Sequence, residues 1–450
     1  MKIKTAIHKV LLIGGGAREH AIAEALCRSK DTELYVVMQN TNPGIMKLSA
    51  GYEIHSETDV KFIVEWAKKR NINLAIIGLE DALDVGLPDE LNKHGIPTVG
   101  PERIPAQLET SKIFARELMR KYNIPGQIEY HYFTDVLSFR KFLESSSREF
   151  ALKPVGLTAG KGVKIMGEHF QSKEEAADYG EKVISLAIGG TAGLVVEERL
   201  IGEELTLQAF VDGETVLPMP LVQDFKRAHE GDTGPNTGSM GSYSQADGLL
   251  PFITQDEYNE AVGILRQVIQ ALRKEGILYQ GILYGQFIKT VSGIKLIEMN
   301  ARFGDPEAMN VLPVLENDFV EICLAITKRN LKNINLHFAN KATVCKYITP
   351  EGYGGENPKV GTPLELDECQ IQKLGVRIYF AKVNAKDGKI LTTSSRSIGL
   401  LGIGESIDEA ETLVEKAIKH VHGDFHVRHD IASKELILRK TSAKRISVLV

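Results

Sequence analysis

Short apolar runs alternate with amphipathic stretches over residues 10–99. Runs at 10–13, 34–38, 74–77 and 96–99 predict buried strands. Between them, residues 60–70 and a stretch reaching about His94 predict helices, as does AREHAIAEALCRS, with Ala21, Ile22, Ala25 and Leu26 at helical spacing. Strands alternating with helices predict a parallel, doubly wound sheet ending near residue 105. Ligands in such folds sit beyond the C-terminal strand ends, which selects the loops at 14–18, 40–44 and 78–81.

The pattern then changes. A helix is expected over 106–122, carrying Lys112 and stopped by Pro125. A strand at 150–153, a glycine-bearing loop at 156–162 and a strand at 163–166 follow, then a helix at 173–187 and a strand at 194–197. Strands at 206–212 and 215–219 form a hairpin across Asp212-Gly213. Helix 257–274 carries a clean apolar stripe and reads as core. Strands 281–289 and 293–300 are joined by a turn at Ser292-Gly293, and a helix at 319–327 closes this part. From about Leu331, β-runs and a last helix at 407–421 suggest a small α+β unit. The predicted class is a multidomain α/β and α+β chain. Its parts are 1–105, 106–330 with a lid at about 125–195, and 331–450.

Composition narrows the function. The 450 residues are 43% hydrophobic and 25% charged, with net charge −5 and no basic block, which argues against nucleic acid. No apolar run approaches the ~20 residues needed to span a bilayer. The N-terminal MKIKTAIHKVLLIGGG reads as a first strand rather than a signal peptide. Cys27, Cys323, Cys345 and Cys369 are scattered, which predicts reduced thiols in a cytoplasmic protein and no structural zinc.

Candidate chemistry lies in the loops. Lys153 on one strand and Lys161 within Gly156, Gly160 and Gly162 form a strand–loop–strand unit, unlike a P-loop, which opens a helix. Glycines admit phosphate oxygens to the backbone and the lysines add charge; the plain alternative is a mobile hairpin. Glu198 and Glu204 offer carboxylates for ribose, and the 197–200 backbone offers an adenine edge, unless these groups are simply solvated. The polar stretch QDFKRAHEGDTGPNTGSMGSYS, residues 223–244, shows little periodicity and reads as a binding loop. Gly15 and Gly16 precede Arg18 and Glu19 at a helix start, which suits either a phosphorylated sugar or a tight solvated turn. In EMNARFGDPE, period 2 places Leu296, Glu298 and Asn300 on one face. Two hard oxygen ligands beside Arg302 suit Mg²⁺ holding a polyphosphate near an anion; a polar edge strand ending in a Gly-Asp-Pro turn is the other reading. The histidines at 420, 422, 426 and 429 read as a polar helix end, not a metal site.

Taken together, GGGAREHA, QLETSKIFARELMRKYNIP, ALKPVGLTAGKGV, EERLIGEE, the 223–244 stretch and EMNARFGDPE resemble the phosphoribosylamine–glycine ligases of the ATP-grasp superfamily over nearly the whole chain. The resemblance implies ligation of glycine to 5-phosphoribosylamine with ATP. The products are glycinamide ribonucleotide, ADP and phosphate, formed through glycyl phosphate in purine synthesis. It implies Lys112 and Lys153 on the phosphates under the 156–162 lid, with Glu197 and the 195–200 hinge, including Leu200, on adenine. Glu204 is implied for ribose. It places Mg²⁺ or Mn²⁺, as one or two ions, on Glu298 and Asn300. Arg302, Gly304, Asp305, Asp224, Lys226, Arg227, Gly234, Asn236, Thr237 and Gly238 would orient the substrates, with Arg302, Lys153 and Asp224 the catalytic set. Gly15, Gly16, Arg18 and Glu19 would meet the ribose phosphate. Many members have an apolar residue where this chain has Gln286, so Gln286 is either a further metal ligand or a buried amide bonded to its neighbours. The first domain departs from the usual loops, with GLEDAL and QNTNPG in place of proline-rich and P-G-N-A-G-T sequences. Rival readings are an ATP-grasp ligase for another amine and a non-catalytic nucleotide-binding module, but DTGPNTG, RFGDPE, Lys153, Glu298 and Asn300 are all present. Small-molecule partners and a monomer are expected.

Overall fold

The computed structural model describes residues 7–156, 162–190, 192–386 and 389–446. Gly160 and Lys161 lie outside them.

The N-terminal strands assemble as predicted into one parallel sheet. Its order is Gly51–Ile54, Thr32–Met38, His8–Ile13, Leu74–Ile77, Thr98–Val99. The strand His8–Ile13 is central, and Val10 to Ile13 are fully buried, as expected for a strand covered on both faces. The expected 106–122 helix is two helices, Gln107–Thr110 and Lys112–Lys121. Ser111 between them is extended, and its hydroxyl accepts from Phe114 N–H at 3.3 Å. A serine that caps the second helix gives up helical backbone to do so; Lys112 therefore starts a helix.

A four-stranded antiparallel sheet runs Val216–Pro218, Glu203–Val211, Gly281–Thr290, Gly293–Asn300. Helix Gln255–Lys274 packs on it with Ile264, Leu265, Val268 and Leu272 buried. The segment expected as a lid forms a smaller sheet, Tyr130–Phe133, Leu194–Glu198, Phe150–Pro154, Lys164–Ile165. It has its own core, including Phe139, Leu152, Val183 and Val196.

The polar stretch 223–244 is not an open loop. Gln223–Asp224 and Gly241–Ser244 pair with each other, and the latter pairs with Ala342–Ile348. They extend a sheet completed by Ile398–Gly404 and Arg377–Phe380, so the C-terminal sheet contains two mid-chain strands. The intervening residues form the hairpin Arg227–His229 with Thr233–Asn236. The strands escaped sequence reading because they are short, and because Gly241–Ser244 is tied into the sheet by partners about a hundred residues away. The last helix of the C-terminal sheet unit, Ile407–Ile418, ends before the histidines. Among the described residues no group of three His, Cys, Asp or Glu side chains is placed to hold a metal.

Candidate active site

The expected period of 2 fails in the strand Gly293–Asn300. Gln286 pairs with Glu298 but Phe287 pairs with Leu296, so Ile297 is an extra residue, a β-bulge. The core-facing positions pass from Ile294 and Leu296 to Met299 and Ala301. Leu296 therefore stays in the core, while Glu298 and Asn300 line a cavity of about 500 Å³. A regular strand would have put Glu298 on the face of Leu296; the bulge re-aims it.

Arg116 pins that bulge. It donates to Leu296 O at 2.9 Å, to Ile297 O at 2.6 Å and to Glu197 Oε1 at 2.8 Å. Lys153 meets the other Glu197 oxygen at 2.5 Å. Burial alone would raise the Glu197 pKa, but Arg116 and Lys153 outweigh it and hold it down to about 2. The Glu197 carboxylate is thus committed to two cations, and any adenine contact in this state falls to the backbone. Glu198 and Leu200 are only partly buried and lie off the cavity wall. Lys112 lines the cavity and donates to Gly156 O at 3.2 Å. Burial lowers its pKa, Glu298 raises it and Lys153 lowers it again. Lys112, Lys153 and Glu298 are therefore close enough to feel one another.

At the other end Glu204 sits away from the hinge. Its carboxylate accepts from Lys226 Nζ at 2.8 Å and from Gln286 Nε2 at 2.9 Å. Gln286 is fully buried and does not line the cavity; its oxygen accepts from Thr206 Oγ1 at 3.0 Å and from the Tyr284 hydroxyl. The same two hydroxyls lie 3.1 and 2.9 Å from Glu307 Oε1, so each has its one proton to share between Gln286 and Glu307. Burial pushes Glu307 up to about 7, and nearby Asp224 adds to this. Asp224 lines the cavity beside this network, and its Oδ1 is buried with no hydrogen-bond partner among the described residues. Burial raises the Asp224 pKa against the pull of Lys226.

Arg302 lines the cavity and pairs with Glu80 at 3.1 Å and Glu109 at 2.8 Å. Arg18 reaches Glu80 at 3.9 Å and donates to Phe303 O at 3.2 Å. Burial would raise the Glu80 pKa; Arg302 and Arg18 hold it near 2 instead. Glu109 is pushed up to about 7 because its burial outweighs Arg302. With its amide nitrogen turned inward, Asn300 donates to Met299 O at 3.2 Å and to Glu109 at 3.1 Å.

Several predicted contacts are not at the cavity. The Glu19 carboxylate folds back on its own helix, accepting from Gly16 N at 2.8 Å and Arg18 Nε at 2.7 Å. A Cβ at Gly14 or Gly78 would meet Glu19 Cγ at 2.6 or 2.5 Å. The glycine turn is therefore filled by a capping-box carboxylate, and Gly15, Gly16 and Glu19 are absent from the cavity wall. Arg227 donates to Gly234 O at 3.0 Å within its hairpin and meets Glu168 of the lid at 2.5 Å. Arg227, Gly234 and Asn236 do not line the cavity, whereas Lys226, Thr237, Gly238, Gly304 and Asp305 do. Glu80 and Glu307 stand in the selected 78–81 loop and in EMNARFGDPE without having been given a role; Glu109, Arg116, Tyr284 and Arg396 join the site without having been read from the sequence. Glu109 and Arg116 stand in the quoted QLETSKIFAREL; for Arg116 helical spacing from Lys112 was a usable signal, whereas Glu109 lies across the break at Ser111 and Arg396 had none.

Three family descriptions match in order: the phosphoribosylglycinamide synthetase N domain at 8–109, its ATP-grasp (A) domain at 110–308 and its C domain at 343–434. A phosphoribosylamine–glycine ligase of Methanothermobacter thermautotrophicus is 49% identical over 96% of this chain and 98% of its own length. One from Methanocella arvoryzae is 48% identical with the same coverage. The crystal structure of phosphoribosylamine–glycine ligase from Thermotoga maritima superposes with a TM-score of 0.79 at 27% identity, over 94% of this chain and 100% of that one. The biotin carboxylase domain of a Hydrogenobacter thermophilus 2-oxoglutarate carboxylase, solved with MgADP, shares the fold alone, at TM-score 0.71 and 15% identity over 98% of this chain and 94% of that one. Near-complete coverage on both sides, at almost half identity, means that this chain belongs to the phosphoribosylglycinamide synthetase (phosphoribosylamine–glycine ligase) family of ATP-grasp proteins.

Proposed function

We infer that the chain ligates glycine to 5-phosphoribosylamine at the expense of ATP, yielding glycinamide ribonucleotide, ADP and phosphate in purine biosynthesis. One geometric observation carries this: a lysine pair, an outward-facing Glu298–Asn300 pair and Asp224, one oxygen of which is buried without a partner among the described residues, line one cavity.

The following roles are our reading of that cavity. Lys112 and Lys153 take the ATP phosphates, with the 156–162 segment as cover and the 195–200 backbone beside adenine. Mg²⁺ would be held by Glu298 and Asn300, whose donors are hard oxygens; among the described residues no group of three His, Cys, Asp or Glu side chains is placed to hold it without further ligands. When bound, such a cation would supply charge neutralisation for the nucleotide phosphates. Mn²⁺, or two ions, would suit the same donors. Gln286 is the third proposed ligand, facing Glu298 in the strand register, and it must release Thr206 and Tyr284 to serve. Glycine places its ammonium on the free Asp224 oxygen, since a buried carboxylate oxygen lacking a donor favours a cation. Its carboxylate accepts the γ-phosphoryl group, and the sugar amine attacks the resulting glycyl phosphate, losing a proton as phosphate leaves. The protein contributes positioning and charge neutralisation. Arg302, held between Glu80 and Glu109, fixes the wall facing this acyl phosphate. No helix among the described residues is long and apolar enough to cross a membrane, and we place the enzyme in the cytoplasm as a monomer.

ADP release should require both glycine and phosphoribosylamine; release with either one absent and undiminished refutes the assignment. For the metal end, Gln286→Leu should weaken Mn²⁺ binding in the presence of ATP by roughly 10-fold, read by electron paramagnetic resonance. Unchanged binding leaves Gln286 as a support for Glu204 only.

A further inference from the structure

Of the described residues lining the cavity, Arg396 alone comes from beyond Glu307. It sits between the strands Lys389–Thr392 and Ile398–Gly404. Its guanidinium carbon lies 4.6 Å from the Tyr347 ring centroid, and its side chain is only 13% exposed. One terminal nitrogen donates to Gly238 O at 2.5 Å and Asp305 O at 3.0 Å, the other to Asp305 Oδ2 at 2.8 Å. A Cβ at Gly238 would lie 3.3 Å from Arg396 Cζ, so glycine there admits the guanidinium. A guanidinium carries five N–H donors; here Nε and one terminal hydrogen have no acceptor among the described residues. Arg18, from the N-terminal helix, donates to Phe303 O at 3.2 Å. Phe303, Gly304 and Asp305 are consecutive, so two guanidiniums from opposite ends of the chain hold one short segment of the cavity wall.

This arrangement bears on a gap left by the glycine turn. That turn, expected to meet the sugar phosphate, is filled by Glu19. The phosphate therefore needs another cation. The lysine end is taken by ATP, and glycine's carboxylate must lie there too, because it receives the γ-phosphoryl group. We propose that Arg396 recognises the 5-phosphate of the sugar amine, assisted by Arg18, and so determines specificity for a phosphorylated acceptor. The proposal rests on the ligase reading above. A planar guanidinium already stacked and bonded on one edge offers its remaining donors to a phosphate with little ordering left to pay for.

Calorimetry on the full chain tests this with two ligands, glycinamide ribonucleotide and its dephosphorylated ribonucleoside. The wild type should prefer the ribonucleotide by roughly 100-fold or more, as expected for charge-assisted hydrogen bonds. Arg396→Gln should cut that preference by roughly 30-fold while leaving affinity for a non-hydrolysable ATP analogue within about 2-fold. A purely structural role would weaken both ribose ligands alike and leave their ratio unchanged. An unchanged ratio in folded Arg396→Gln overturns the proposal. If that variant does not fold, Arg396→Lys is read instead: a reduced ratio supports the proposal and the wild-type ratio overturns it. A wild type that binds neither ligand overturns the ligase reading itself, and this proposal with it.

Discussion

Glu298 is the residue on which the proposed metal role rests. It faces the cavity beside Lys112 and Lys153, and no other carboxylate lies on the same strand. Glu298→Ala should lower kcat by roughly 100-fold or more without lowering the thermal midpoint, because the change removes a group facing the cavity and no core contact. Near-normal turnover would refute the metal role. Glu19 shows the opposite case. It looked like a ligand but is a buried cap, so Glu19→Ala should cost about 1–3 kcal/mol in denaturant unfolding, leaving Gly16 N–H and the Arg18 Nε–H without their acceptor. His20 adds a pH signature. Burial holds its pKa down to about 3, and its Nδ1 accepts from Phe380 N–H at 3.0 Å. A base with a depressed folded pKa is protonated first in the unfolded chain. Its contribution is complete above the ordinary 6.5 and is lost as pH falls toward about 3. In His20→Gln the unfolding free energy should vary less steeply with pH in the upper part of that window, above the carboxylate range; an unchanged slope counts against a neutral buried imidazole.

At the scale of elements the bulge is decisive. One inserted residue, Ile297, separates a strand that would turn its glutamate to the core from one that presents Glu298 to the cavity. Its carbonyls are held by Arg116, and Arg116 also holds the end of the lid strand Leu194–Glu198 through Glu197. Arg116 is therefore the joint between the hinge and the bulged strand. Arg116→Met should destabilise the protein by about 3 kcal/mol, as for a broken buried pair. It should raise KM for ATP more than KM for glycine, since Asp224 lies on a different sheet. Equal changes in both constants would argue that the residue serves stability alone. The split of the 106–122 helix at Ser111 belongs here too, because it makes Lys112 the first residue of a helix rather than a mid-helix side chain.

At the scale of the molecule, the two ends of the chain close on each other around the ATP-grasp sheet. Asn42, fully buried, donates to Phe380 O at 2.7 Å and Gly15 O at 2.9 Å while capping the helix Pro43–Leu48. Tyr379 and Arg377 reach Glu24 at 2.9 and 3.2 Å. Asn42→Ala removes a cap and two bridging bonds together, and should cost about 2–3 kcal/mol in chemical denaturation. A loss well under 1 kcal/mol would mean that the seam does not depend on it. In the QNTNPG loop the second asparagine, Asn42, serves the contact with Phe380 and caps the helix that follows.

The parallel N-terminal sheet, the apolar stripe of helix 255–274 and the lysine-bearing lid hairpin were legible in the sequence. Each depends on local periodicity or on glycine and lysine type, which neighbours in the chain determine. EMNARFGDPE was legible as a run of polar and charged residues for the same reason, and Glu298, Asn300, Arg302, Gly304, Asp305 and Glu307 all line the cavity. What only the tertiary structure decided is where those groups point and what already occupies them. A single bulge inverts a strand's face, and its partner register lies on another strand. Glu19 fills its glycine turn, Glu197 is claimed by Arg116 and Lys153, and the 223–244 stretch becomes strands because distant residues 342–348 pair with it. Arg396 enters a cavity built by residues far behind it in the chain. Hydrogen bonds and ion pairs between residues so far apart leave no period in the sequence, so their partners are specified only when the chain is folded.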